Sequence, residues 1–217
     1  MTGRRVRAAV LGGALVMLCV ATAQASPMPI TLGSSDFNSL LGGSAAPIGT
    51  TTVTTMNNSN LYTSVASQAF TDGKGNYVYL YQVTNNGGTS DASAECFTIS
   101  QFFGMTASGT AGKLTANPPS GFTLGSQAPA GASVDVPAGP VLSFVFPGYM
   151  GGQIDPGESS VTMYVLSQLP PGLVTGNVID GTIASGPVVA PGFVPEPTTI
   201  ALLALGGLGL LRRGRRS

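Results

Sequence analysis

Turn-forming residues punctuate the middle of this chain, and the runs between them are short, β-branched and aromatic. That punctuation favours an all-β sandwich or barrel over a helical fold. The clearest run is Tyr77 to Thr84, where Tyr77, Tyr79, Tyr81 and Val83 alternate with Val78, Leu80, Gln82 and Thr84. Alternation is the period of a strand. Both faces are largely apolar or aromatic, so this strand is expected to be central. Leu61 to Phe70 precedes it across the turn Asp72-Gly73-Lys74-Gly75-Asn76, as the arms of a hairpin do. Leu61, Thr63, Val65, Ser67 and Ala69 are expected on one face.

Further strands are expected over Ala94–Phe103, Val134–Val136, Val141–Phe146 and Val161–Leu169. Asn177–Val189 reads as one more strand or a hairpin around Asp180-Gly181. Leu114–Gly131, interrupted by prolines, reads as a loop with one short edge strand. Ser26 to about Thr52 reads as a loose lead-in, with one helical turn over Asp36–Leu41. The expectation is one β-sandwich of about seven or eight antiparallel strands. It occupies residues 26–193, between a signal peptide at 1–25 and a sorting helix within 194–217.

Charge divides the chain the same way. All seven arginines lie outside Ser26–Val194, and between those bounds the cations are Lys74 and Lys113. The acids there are Asp36, Asp72, Asp91, Glu95, Asp135, Asp155, Glu158 and Asp180. Two minus eight gives the body a net charge of −6, although the whole chain is formally neutral. A body of this kind carries no basic patch for nucleic acid. With Cys19 lost in the signal peptide, Cys96 stands alone, so no internal disulfide is expected.

The N-terminal segment has the three parts of a secretory signal. Arg4, Arg5 and Arg7 form the basic region, Ala8–Ala21 the apolar one, and Ala23-Gln24-Ala25 a small-x-small site. Signal peptidase cleavage is expected after Ala25, on the Sec route. Leu18 precedes Cys19 where a lipoprotein signal needs a small residue, which argues against lipidation.

At the other end, Val194-Pro195-Glu196-Pro197 is followed by the apolar run Thr198–Leu211 and by Arg212, Arg213, Arg215 and Arg216. Fourteen helical residues span roughly 21 Å, short against the roughly 30 Å hydrocarbon core. Gly206, Gly207 and Gly209 lower helix propensity further. A marginal span suits a segment removed after use. The four arginines are the cytoplasmic stop under the positive-inside rule.

These residues together resemble the PEP-CTERM sorting signal of proteins exported by Gram-negative bacteria, many of which make exopolysaccharide. The resemblance implies that exosortase, a membrane protease-transpeptidase, recognises Pro195-Glu196-Pro197 and removes the tail. It further implies transient anchoring in the inner membrane, then a place at the cell surface or outside the cell, linked to exopolysaccharide or biofilm. The catalytic machinery belongs to that partner.

The body offers little chemistry of its own. Histidine is absent, which excludes Ser-His-Asp and Cys-His catalysis. Cys96 beside Glu95 reads as a small core residue rather than a reactive thiol. Asp135, Asp155, Glu95 and Glu158 are candidates for a glycosidase pair, but no tryptophan is present to stack a sugar ring. The Asp72–Asn76 segment places Lys74 where a calcium loop needs an oxygen, and reads as a turn. No metal and no cofactor are expected. Tyr77, Tyr79 and Tyr81 form a candidate glycan-contact stripe if they face solvent, and a core face if they do not. The leading expectation is a non-enzymatic surface or matrix protein. The alternative is a carbohydrate-binding or adhesive module, with extracellular polysaccharide as partner in either case.

Overall fold

The computed structural model describes residues 27–100, 102, 111–135, 140–146, 148 and 152–192. Among them are twelve strands. The first six are β1 Met28–Ile30, β2 Gly33–Asp36, β3 Ala46–Asn57, β4 Tyr62–Thr71, β5 Tyr77–Asn85 and β6 Cys96–Ile99. The rest are β7 Ala111–Ala116, β8 Gly131–Asp135, β9 Val141–Val145, β10 Met163–Ser167, β11 Pro171–Ile179 and β12 Ile183–Pro191.

They form two six-stranded sheets. The first has the order β1-β8-β9-β6-β11-β12 and the second β2-β7-β10-β5-β4-β3. The architecture is sandwich-like and mostly β, as expected. Every pairing is antiparallel except that of β2 with β7, which is parallel. The β4–β5 hairpin follows the expected register, with Thr71 opposite Tyr77 and Thr63 opposite Asn85.

The alternation in β4 and β5 has two destinations. Leu61, Val65, Ala69, Tyr79, Tyr81 and Val83 face the first sheet and join a core with Phe97, Ile99, Leu142, Phe144, Val178 and Val188. The Tyr81 ring lies 5.7 Å from Phe97, which stacks on Phe144 at 6.5 Å. The opposite face of β5, with Val78 and Leu80, joins a second cluster of Leu40, Phe70, Leu114, Phe122 and Tyr164. The second sheet is therefore buried on both faces, which is why its central strand alternates apolar with apolar.

Two covering segments make that second layer. A 3-10 turn at Phe37–Gly43, capped by the Asp36 carboxylate accepting from the Asn38 N–H, sets Phe37 edge-on to Phe70 at 5.0 Å. The loop after β7 is pinned by Gln82. The Gln82 amide nitrogen donates to the carbonyl and hydroxyl of Thr123 and to the Ser160 carbonyl, and its oxygen accepts from the Thr123 N–H. Gly125 sits at φ +63 with its backbone against the Ser160 carbonyl, a place and conformation that exclude a side chain.

Three expectations are corrected. The strand count is twelve because residues 27–57 are integrated into both sheets rather than forming a loose lead-in. The turn expected over Asp36–Leu41 is present within that stretch, as Phe37–Gly43. β7 is an interior strand between β2 and β10, not an edge. β6 is shorter than Ala94–Phe103, its assigned strand running only from Cys96 to Ile99. The hairpin around Asp180-Gly181 is present as β11 and β12, whose pairing extends from Ile179–Ile183 to Pro171–Pro191.

Candidate functional site

Val194, Pro195, Glu196, Pro197, the four tail arginines, Ala23 and Ala25 lie outside the described residues. The geometry that bears on them is that of the strand leading into the tail. β12 is an edge strand of the first sheet, and edge strands leave backbone groups open. Here those groups are met by side chains of the second sheet. The Thr54 hydroxyl donates to the Pro187 carbonyl at 2.6 Å, and the Val189 N–H donates to the Ser67 hydroxyl at 3.1 Å. Pro187 and Pro191 have no N–H to expose, which is where prolines fit in an edge.

The strand is held to its last residue. Ala190, Pro191 and Gly192 are buried, and the Gly192 N–H donates to the Pro170 carbonyl at 3.1 Å. Gly192 and Gly172 pack backbone on backbone. Ala190–Gly192, directly before the sorting motif, are therefore strand and clasp. At the opposite end of the β11–β12 hairpin, the Asn58 amide donates to Asp180 at 3.3 Å and to the Thr182 hydroxyl at 2.7 Å. Burial pushes the Asp180 carboxyl up, but hydrogen bonds from Thr182 and Asn58 outweigh it and leave its pKa below the usual value.

The tyrosine stripe is core. Tyr79 and Tyr81 are fully buried, and Tyr77 is half-buried against the same cluster. The glycan-contact reading of Tyr77, Tyr79 and Tyr81 is corrected accordingly: their rings face the first sheet, not solvent. The Tyr79 hydroxyl donates to the Leu169 carbonyl at 2.6 Å. The Tyr81 hydroxyl is buried with no partner among the described residues. Burial raises the pKa of both phenols.

The carboxylates are occupied by local structure. Glu95 accepts from the Gln153 amide at 2.7 Å, and Asp155 from the Ser93 hydroxyl. Glu158 accepts from the Gln127 amide and from the Asp155 N–H. Asp135 lies at the end of β8, at the other end of the sandwich. Asp72 accepts from the Asn76 side chain and from the N–H groups of Lys74 and Asn76. Those bonds, the Asn76 side chain first, hold its carboxyl below the usual range, and the loop is the turn that its sequence suggested. No group of three or more potential metal ligands occurs among the described residues.

Cys96 is half-buried on the outer face of the first sheet, in a shallow cleft with Glu95, Val145 and Gln153. Burial, with the Glu95 charge adding to it, pushes its thiol up to about 11. Nucleophilic cysteines show the opposite shift. The same face carries a polar row that single-strand patterns do not reveal. Ser133, Ser143, Thr98, Asn177 and Ser185 stand side by side on five successive strands. The Asn177 amide donates to Thr98 and accepts from Ser185.

The family model of the PEP-CTERM protein-sorting motif matches residues 193–216. The chain carries a PEP-CTERM protein-sorting motif. The match begins one residue beyond Gly192, where the clasped strand ends. The PEP-CTERM motif implies export, membrane-anchored sorting to the cell surface, and exosortase as the processing partner. No curated protein and no solved structure matches the chain. Among the described residues no helix is long and apolar enough to cross a membrane, and the apolar run Thr198–Leu211 lies outside them.

Proposed function

We propose that this protein is a non-catalytic structural component of the bacterial surface or its polysaccharide matrix, delivered as a folded β-sandwich and freed from its tail by exosortase. Signal peptidase removes residues 1–25 on the Sec route, residues 26–193 form the exported body, and residues 194–217 serve sorting alone. The observation that carries this reading is the motif match at 193–216, set directly against the end of β12. Support for a non-catalytic body comes from its chemistry: Glu95, Asp155 and Glu158 accept local hydrogen bonds, and the Cys96 thiol stays protonated at neutral pH.

The intact mass of the protein from medium and from membranes tests the reading. A mass ending near Pro197 supports it. A secreted form that retains Arg212–Arg216 would overturn it. Changing Pro195, Glu196 and Pro197 to alanine is expected to leave the uncut chain in the membrane. Matrix association is tested by fractionating cells that lack their exopolysaccharide, where the body is expected to move from the matrix fraction to the medium.

A further inference from the structure

The end of β12 and the Asp72–Asn76 turn lie at the same end of the sandwich. The β12 terminus pairs with the start of β11, with Pro191 opposite Pro171. The middle of β11 lies beside the end of β6, through the Ser100 N–H and Thr175 carbonyl. The end of β6 pairs with the start of β9, Ile99 opposite Leu142. The start of β9 pairs with the end of β8, and the end of β8 with the start of β1, Val134 opposite Met28. Met28 is thus level with Gly176, partway along β11, while Gly192 lies beyond Pro191 at the end of the sandwich that also carries the β10–β11 connection. The Asp72–Asn76 turn is there too, since Tyr77 pairs with Ser167 at the end of β10.

The tether from this end is short. From Gly192 to Thr198, where the apolar run begins, six Cα steps reach at most roughly 20 Å. The clasp at Gly172 and Pro170 leaves no slack before Gly192. A body about as long as its nine-residue strand β5, roughly 30 Å, thus cannot hang far from the lipid surface or turn over freely on so short a lead.

Charge is distributed to match. Asp91, Glu95, Asp155, Glu158 and Asp180, five of the eight acids, lie at the far end with the β3–β4 turn and the β11–β12 hairpin. Lys74 lies at the near end, with Asp72 and Asp135. Bacterial phospholipid surfaces are anionic, and their field acts within a Debye length, about 8 Å at physiological salt.

We infer that the end of the sandwich carrying the Asp72–Asn76 turn and Gly192 is a lipid-facing surface, held against the anionic bilayer until the tail is cut, with the acidic end presented outward. This rests on the sorting reading above, because it needs the tail as an anchor.

The test uses the full chain with Pro195→Ala, Glu196→Ala and Pro197→Ala, and with Cys19 and Cys96 changed to serine. A single cysteine is placed at exposed Lys74 (Lys74→Cys) or at exposed Asp91 (Asp91→Cys) and labelled with a fluorescent donor. The protein is purified from membranes and reconstituted into phosphatidylethanolamine–phosphatidylglycerol vesicles containing a headgroup-labelled acceptor. Energy transfer several-fold higher from position 74 than from position 91 is expected. A flexible Gly-Ser spacer inserted after Gly192 is expected to shrink that difference. Equal transfer from the two positions without the spacer, or higher transfer from position 91, overturns the orientation while leaving sorting intact. Absence of the uncut chain from membranes overturns the anchoring itself, and the orientation with it.

Discussion

Gly172 and Gly192 meet backbone to backbone at the foot of the β11–β12 hairpin: a Cβ at Gly192 would stand 2.9 Å from the Gly172 Cα, and one at Gly172 would stand 3.2 Å from the Gly192 Cα. Both contacts are on main-chain atoms, which cannot rotate away as a side chain can. Gly192→Val is expected to push the end of β12 outward and weaken the Gly192–Pro170 hydrogen bond. Overpacking of this kind costs about 1–3 kcal/mol, and about 1 kcal/mol shifts Tm by roughly 2–4 °C in a domain of this size. Thermal unfolding of the exported form measures it. An unchanged Tm would mean that the foot of the hairpin is looser than the two glycines imply.

Tyr79 and Tyr81 offer a paired test of the core, because two identical rings on one face differ only in their hydroxyls. Tyr79→Phe removes a 2.6 Å bond and strands the Leu169 carbonyl. A loss of about 1 kcal/mol is expected. Tyr81→Phe removes a hydroxyl that has no partner among the described residues. Its desolvation is uncompensated, so stability is expected to rise by a few tenths to about 1 kcal/mol. Chemical denaturation of both variants should move the midpoint in opposite directions. A loss at both positions would point to a buried water on the Tyr81 hydroxyl.

The same face shows what was legible in the sequence. β5 was readable because both its faces carry bulky apolar or aromatic residues, and β4 because it precedes β5 across a turn with glycines at Gly73 (φ +71) and Gly75 (φ +91). β3 was not readable. It is an edge strand with one exposed face, so threonines occupy positions where a central strand has bulky apolar residues. Its register also shifts between Ile48 and Thr52. Only the last residues of β7 fall in Leu114–Gly131, whose prolines read as a loop with one short edge strand; its first residues include Gly112, which marks close packing, since a Cβ there would stand 2.5 Å from the Tyr164 ring. The parallel β2–β7 pairing leaves no local trace, since it joins segments far apart in the chain. The sorting motif was legible in full because it is recognised as a linear sequence. The Gly172–Gly192 contact was not, because a close approach of two backbones exists only after folding.

Cys96 is expected to be a slow nucleophile. With the thiol pushed up to about 11 by burial and by Glu95, little thiolate exists at pH 8. A free cysteine near 8.5 has roughly two-hundredfold more at that pH. Alkylation by iodoacetamide should therefore lag a free thiol by about that factor and keep accelerating as pH rises past 10. Glu95→Gln removes the second cause of the shift and should quicken the reaction modestly. Rapid labelling at neutral pH would reopen the reactive-thiol reading.

Asp180 gives the fold a pH-dependent clasp. Its carboxylate accepts from the Thr182 hydroxyl at 2.6 Å and the Thr182 N–H at 2.9 Å, and from Asn58 across the sheets. These bonds favour the charged form, so the folded-state pKa lies below that of the unfolded chain, near 3.9. The sign follows from linkage: protons bind the unfolded state more readily. The stabilisation is present above the unfolded-state pKa and is lost as pH falls through the folded-state value. Asn58→Ala removes the cross-sheet donor but leaves the Thr182 bonds. The Asp180 carboxyl, followed by its NMR titration, should then move upward toward the ordinary value without reaching it. The acid limb of the stability curve should shift to higher pH with it. An Asp180 titration unmoved by Asn58→Ala would show that the Thr182 bonds alone set its charge, leaving the Asn58–Thr182 contact to close the hairpin against β3.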